Sequence, residues 1–244
     1  MRLVLMADGA VGMKIALFLM ENYPEDLALV VTTQRNDIYC AAEKWGVPVC
    51  IFDSAEGVLV KLQEGADMGV MAWWPKILKR PLLDAPKYGF VNTHPSLLPH
   101  NRGKHYNFWA LVEQAPFGVT LHRVDSGIDS GDIVAQTRIS YDWCDSGGSL
   151  YFKAQAAMVS LFCQTYPRLR TGNFEARPQD PKMGSFHHSS EIDMASRIDL
   201  DARYQGRELL NLLRARTFEG YPGCWFEEAG DRYEVSVSIR KVNK

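Results

Sequence analysis

The stretch Asn92-Thr93-His94 sets an amide, a hydroxyl and an imidazole side by side, directly after Tyr88-Gly89-Phe90-Val91. Residues two apart on a strand face the same side, so Asn92 and His94 project together. An amide N–H can steady a developing oxyanion. An imidazole can carry the proton of an attacking nucleophile near neutral pH. The pair suits acyl transfer, although an ordinary polar strand end has the same appearance. Downstream, Val124-Asp125-Ser126-Gly127-Ile128-Asp129-Ser130-Gly131-Asp132 is a polar turn between strand-like runs. Asp129 falls in a bend braced by Gly127 and Gly131, and a carboxylate there could orient or charge His94. Taken alone, the segment is a turn rich in Asp, Ser and Gly.

Other chemistries fit less well. His94, His100, His105 and His122 have no H-E-x-x-H or H-x-H spacing and no cysteine partner, so no metal is expected. His187 and His188 would point to opposite faces of an extended chain and read as a surface or turn feature. Asp8-Gly9-Ala10-Val11-Gly12 could approach a pyrophosphate, but the third glycine of a dinucleotide fingerprint is missing. Thr32-Thr33-Gln34-Arg35 stands where an acidic residue would end the second strand. A tight β-α turn is expected there, not a nicotinamide site. The five cysteines are scattered without a C-x-x-C pair and read as reduced structural thiols.

The segments that must hold these residues alternate in texture. Residues 2–7, 27–33, 47–52, 68–74 and 89–94 are short apolar runs that read as strands. Residues 11–23, with Val11, Ile15, Phe18 and Leu19 on one face, read as a helix. So do residues 38–45, closed by Gly46, and 57–63. Repeated β-α units predict an α/β fold, Rossmann-like, with a mostly parallel twisted sheet. In such folds ligands bind beyond the carboxyl ends of the strands, which puts Asn92 and His94 at a crevice. Helices are expected over 105–114 and 146–168, the latter with Leu150, Ala154, Ala157 and Leu161 in register, and strands over 117–125 and 133–141. Around Arg177-Pro178-Gln179-Asp180-Pro181 the texture turns to proline and charge, an expected boundary. The chain is therefore divided into residues 1–180 and a small α+β region, 181–244. That region is expected to hold a helix over 202–214 and a β-hairpin turning at Gly230-Asp231.

The 244 residues, 46% of them hydrophobic, suffice for one large domain or a domain with an appendage. A formal net charge of -2 argues against a chain-wide surface for polyanions. No run approaches the ~20 apolar residues that span a membrane. The first fourteen residues break at Asp8-Gly9 and do not read as a signal peptide. A cytoplasmic protein without a membrane partner is expected.

Together the two polar segments resemble the formyltransferase family that uses 10-formyltetrahydrofolate. N-x-H-P-S-L-L-P-x-x-R-G stands at residues 92–103, and G-V-T-x-H-x-V-D-x-G-I-D-x-G-D-I at 118–133. The resemblance extends over residues 1–180 and implies a formyltransferase domain. It implies Asn92, His94 and Asp129 as catalytic residues. It implies a folate crevice lined by Met71, Ala72, Trp73 and Trp74 and by Asp125, Gly127 and Ile128, with N10-formyltetrahydrofolate as co-substrate and no metal. In the implied mechanism a primary amine attacks the formyl carbon. Asn92 and His94 stabilise the oxyanion, His94 helps move the amine proton, and Asp129 orients His94 or a bridging water and raises the basicity of His94.

Three branches of that family differ in the amine. Methionyl-tRNA formyltransferases carry a larger C-terminal domain that meets tRNA. Residues 183–244 here hold nine Lys/Arg and ten Asp/Glu, a poor surface for RNA. Glycinamide ribonucleotide formyltransferases lack a hairpin-like tail. The chain resembles the sugar N-formyltransferase branch in length, in residues 101–109 and in residues 198–223. That branch implies a nucleotide-linked dideoxyamino sugar on a dTDP or GDP carrier, no nucleic acid, and a product for a surface polysaccharide such as O-antigen. Lys76, Arg102 and Lys104 are expected near phosphate, with His105 and Asn107 in the same segment. Phe218 and Tyr221 either stack on the base or anchor the tail. The hairpin is expected to pair two copies into a homodimer, because exposed strand edges invite pairing. The alternatives are a methionyl-tRNA formyltransferase-like enzyme, a formyltetrahydrofolate hydrolase using water in place of the amine, and a non-catalytic folate- or nucleotide-binding module. The hydrolase usually carries an extra N-terminal domain, which is not expected here.

Overall fold

The computed structural model describes residues 1–242. In chain order the strands are β1 (Leu3–Ala7), β2 (Leu27–Thr32), β3 (Val49–Ile51), β4 (Met68–Ala72), β5 (Phe90–His94), β6 (Arg102–Gly103), β7 (Gly118–Arg123), β8 (Ile133–Arg138), β9 (Phe186–His187), β10 (Cys224–Glu228) and β11 (Asp231–Val235). The helices are α1 (Gly9–Asn22), α2 (Asp37–Lys44), α3 (Ala55–Lys61), α4 (Tyr106–Val112), α5 (Gly147–Leu169), α6 (Glu191–Ala195) and α7 (Gly206–Arg216). The chain forms two compact units. One comprises Met1–His94, Thr120–Gln136 and Met158–Gln179, and the other Pro95–Val119, Thr137–Ala157 and the residues from Asp180 on.

Seven strands form one sheet in the order β3-β2-β1-β4-β5-β7-β8. β1 to β5 run parallel, and β7 is antiparallel to β5. Parallel strands covered on both faces lose the alternation of a half-exposed strand. β1 (LVLMA) and β4 (MGVMA) accordingly are continuous apolar runs, buried at every position. β3 lies at the edge, is shorter than the expected strand, and leaves Ile51 45% exposed. Val4, Met6, Leu29, Val31, Met71 and Phe90 belong to one buried cluster. Each such side chain contributes about 1.5–3 kcal/mol on leaving water.

Local chemistry sets the helix ends. The Asn36 side chain accepts the Tyr39 N–H at 3.1 Å and starts α2, and Gly46 at φ +69° ends it. Ser54 accepts the Gly57 N–H at 3.0 Å and starts α3. β1 has β2 on one side and β4 on the other, so strand order reverses at its carboxyl end, the place where such sheets form a crevice. Asp8 follows there. Its carboxylate accepts from the Thr33 N–H at 3.2 Å and the Asn36 amide at 2.6 Å, so it serves the tight turn expected of this segment.

In the second unit β6 pairs in parallel with β9, and β10 with β11 as an antiparallel hairpin. The hairpin turns one residue earlier than expected. Ala229 and Gly230 take φ of 53° and 92°, and Asp231 is already paired with Glu228. Two positive φ values in succession suit the right-handed twist of a hairpin. α7 begins at Gly206, later than expected, and buries Arg214. That guanidinium donates to the Asn211 side chain at 2.9 Å and the carbonyl oxygens of Asp142 and Asp145 at 2.5 and 3.0 Å. In α5 the expected face holds at Leu150, Ala154 and Leu161, but Met158 is buried where Ala157 was expected.

His187 departs from the surface reading. Its ring stacks on Trp109 at 3.7 Å, with Nε2 2.6 Å from Glu113 and Nδ1 3.1 Å from Glu191. Glu113 also accepts from the Asn101 amide and the Ser185 hydroxyl, each at 2.8 Å. This cluster ties the segment around β9 to α4.

Candidate active site

Asn92 and His94 occupy alternate positions of β5, and both lie in the first unit with Asp129. His94 is 5% exposed. Its Nδ1 stands 3.3 Å from Oδ2 of Asp129. A ring that donates from Nδ1 to a carboxylate keeps Nε2 as its basic nitrogen. Asp129 itself adopts φ 53°, a left-handed conformation uncommon outside glycine, in which Asp is better tolerated than most residues. The loop supplies one hold internally. Asp125 Oδ1 accepts the Gly127 N–H at 2.9 Å and the Ser130 hydroxyl at 2.8 Å. Gly131 is required for close approach, because a Cβ there would meet the Arg123 carbonyl.

The antiparallel register adds a residue that motif reading passed over. Asn92 lies opposite His122 and His94 opposite Thr120. His122 Nδ1 is 2.8 Å from the Arg123 carbonyl oxygen. An oxygen that only accepts fixes a proton on Nδ1, which leaves Nε2 to accept from Asn92 Nδ2 at 3.2 Å. Asp129 Oδ1 lies 3.6 Å from the same Nε2. The four side chains thus form two close pairs, Asn92 with His122 and His94 with Asp129, the second carboxylate oxygen of Asp129 lying beyond hydrogen-bond distance of His122. Thr93 points to the other side of the strand. Its hydroxyl accepts the Trp73 N–H and donates to the Met71 carbonyl, both at 3.2 Å, so it fastens the segment expected to line the folate crevice.

In that segment Met71 and Ala72 end β4, and Trp73 turns at φ 58°. Trp74 is 8% exposed and packs edge-on against Phe52 at 5.5 Å. Lys76 Nζ lies 4.8 Å over the Phe52 ring. A cleft of about 400 Å³ in the same unit is lined by Arg80, Leu83, Gly89, Val124, Asp125 and Ser126, among others. Gly89 stands just before β5 and Val124 just after β7, so this cleft lies at the amino end of β5, and none of Met71, Ala72, Trp73 or Trp74 lines it. Of the residues expected to line the folate crevice, Asp125 borders this cleft. Gly127 lies in the Asp125 turn, and Ile128 is 46% exposed.

The other expected substrate residues lie in the second unit. Arg102 sits over Phe186 at 5.9 Å, and its Nε is buried without a hydrogen-bond partner among the described residues. The Lys104 N–H donates to the His187 carbonyl at 3.0 Å. His105 takes φ 58° ahead of α4. Burial pushes its imidazole below the ordinary value, with Arg216 and Lys104 acting the same way and a hydrogen bond at the Ser189 backbone opposing them. Asn107 donates to the Gly147 carbonyl at 2.8 Å, a structural tie. Phe218 and Tyr221 pack on each other at 4.5 Å, and Tyr221 is 60% exposed. Among the described residues there is no cluster of three or more His, Cys, Asp or Glu able to hold a metal ion, and no helix long and apolar enough to cross a membrane.

Comparison with known proteins identifies two matched regions. Residues 53–165 match the formyl transferase family, and residues 191–241 match the N-formyltransferase dimerization C-terminal domain. The dTDP-4-amino-4,6-dideoxyglucose formyltransferase of Mycobacterium tuberculosis is 29% identical over 197 residues, covering 81% of this chain and 80% of that protein. The methionyl-tRNA formyltransferase of Geobacillus thermodenitrificans is 30% identical over 200 residues, covering 80% of this chain but 60% of that protein. A sugar N-formyltransferase from a Shewanella species shares the fold with a TM-score of 0.83 at 20% identity, covering 100% of this chain and 99% of that one. With motif, sheet and both matched regions in agreement, the chain belongs to the formyltransferase family.

Proposed function

We propose that the protein transfers the formyl group of N10-formyltetrahydrofolate to the primary amine of a nucleotide-linked dideoxyamino sugar. The observation that carries the chemistry is the Asp129–His94 pair at 3.3 Å on the strand that also bears Asn92. The amino-sugar acceptor is supported by the mycobacterial relative, which matches over most of both chains. It is supported too by a tail matched to a dimerization domain and close to neutral in charge. The dTDP-linked 4-amino-4,6-dideoxyglucose is the first acceptor to test, with a GDP-linked analogue second. Residues 1–180 carry the transfer chemistry, and residues 181–244 pair two copies into a homodimer. The reaction belongs to the cytoplasm, ahead of assembly of a surface polysaccharide.

N10-formyltetrahydrofolate supplies the formyl group when bound, and Met71, Ala72, Trp73 and Trp74 with the loop of Asp125, Gly127 and Ile128 would hold it. Asn92, oriented by His122 through one amide hydrogen, turns the other toward the formyl oxygen as charge gathers there. His94 takes the proton that the attacking amine loses and delivers it to the departing folate nitrogen. Asp129 keeps the Nδ1 proton of His94 in place, so that Nε2 faces this work. Arg102, Lys104 and His105 offer positive or donor groups to the diphosphate, and Phe218 and Tyr221 offer ring faces to the base. Amine-dependent release of tetrahydrofolate is the test.

A further inference from the structure

We infer that Gln179, which lies outside both polar segments of the sequence, is a positioning residue that sets the direction of the Asp129 carboxylate. Its Nε2 donates to the carbonyl oxygen of Asp129 at 2.9 Å and to that of Gly131 at 2.7 Å. An amide nitrogen carries two hydrogens, and here both are used. Only the nitrogen end of the amide can face two carbonyl oxygens, so the orientation is fixed by chemistry.

Gln179 is itself held. The Arg177 N–H donates to the Ile133 carbonyl at 2.9 Å, and the Ile133 N–H to the Arg177 carbonyl at 2.8 Å. The Arg177 guanidinium donates to the Gln136 side chain at 2.5 Å, and Gln136 donates to the Thr120 hydroxyl at 2.9 Å. Residues 177–179 therefore run as a strap along the start of β8, which follows directly on the loop that carries Asp129.

The strap and the loop divide two tasks. Asp125 folds the turn from inside by accepting from Gly127 and Ser130. Gln179 grips the two carbonyl groups that flank Ser130, where the backbone passes through φ 53° at Asp129. That conformation is disfavoured for a residue with a side chain, less for Asp than for most, and local hydrogen bonds hold it. Without the two donated bonds, residue 129 relaxes toward ordinary φ. Its carboxylate then leaves the position 3.3 Å from His94 and 3.6 Å from His122. The turn stays folded on Asp125, so the loss is one of direction and not of stability. The kinetic consequence rests on the proposed formyl transfer, while the geometric one does not.

Two variants test this. Gln179→Glu keeps the shape but, once ionised, cannot donate, and Gln179→Met removes the donors without adding charge. Each is compared with wild type in kcat and KM for the amino sugar, in thermal midpoint, and in the ring-nitrogen NMR signals of His94, assigned with His94→Ala. We expect kcat to fall about tenfold to a hundredfold, with KM and the midpoint nearly unchanged. The His94 ring should move from the Nδ1-protonated tautomer to a mixture in the ligand-free enzyme. The inference is overturned if His94 keeps its wild-type signals in both variants, or if kcat falls only in step with the thermal midpoint. If wild type transfers no formyl group to any amino sugar, the proposed reaction is lost, and the His94 signals alone decide the role of Gln179.

Discussion

Nε2 of His122 lies 3.2 Å from the amide nitrogen of Asn92, across a strand pair whose register sets the two residues opposite one another. The contact gives the Asn92 amide a direction, because the same ring is anchored at Nδ1 by the Arg123 carbonyl. His122→Leu removes the acceptor and should lower kcat about tenfold to a hundredfold with little change in KM. His122→Gln, which can still accept, should recover part of the loss. Steady-state kinetics on both variants decide the matter, and an unaltered kcat in His122→Leu removes His122 from the mechanism.

His94→Ala and Asp129→Asn strike the proton-handling pair directly. Each should lower kcat by a factor of about 10² to 10⁴, with a thermal midpoint close to that of wild type. Near-normal turnover in either folded variant would remove that residue from catalysis.

Gly9 takes φ +62°, and a Cβ there would stand 3.0 Å from Cδ1 of Trp73. Gly9→Ala should therefore cost about 1–2 kcal/mol and disturb the Trp73 turn. Chemical denaturation measures the first effect, and folate titration followed by tryptophan fluorescence the second.

Asp26 is 1% exposed, and its carboxylate accepts from Tyr166 at 2.9 Å and from Arg170 at 2.8 and 3.0 Å. Burial alone would push its carboxyl up. The bonds from Arg170 and Tyr166 outweigh burial and hold it below the ordinary carboxylate range. A lowered folded value means that the carboxylate adds stability above its unfolded value, about 3.9, and that this stability drains away as pH falls through the lowered value. Asp26→Asn should cost about 3 kcal/mol at neutral pH, and its deficit against wild type should shrink as pH falls below 4. Urea unfolding at a series of pH values measures both, and a pH-independent deficit would contradict the assignment.

The sheet was legible because β1 and β4 are unbroken apolar runs, and because Asn92 and His94 keep the period of a strand. The neighbours of those residues were not legible. His122 faces Asn92 through an antiparallel register, and Gln179 reaches Asp129 from fifty residues away. Neither distance is written in local spacing. The stacking of His187 on Trp109 was hidden for the same reason. The hairpin turn slipped by one residue because Ala229, a poor turn former by type, takes the first positive φ beside Gly230.

The most direct test is a tetrahydrofolate-release assay. The protein is incubated with N10-formyltetrahydrofolate, with and without dTDP-linked 4-amino-4,6-dideoxyglucose or its GDP-linked analogue. Release that requires the amino sugar, with a product heavier by one formyl group, is the expected result. Release at the same rate without the sugar indicates hydrolysis, and folate binding with no release indicates a binding module. Either outcome contradicts transfer to an amino sugar.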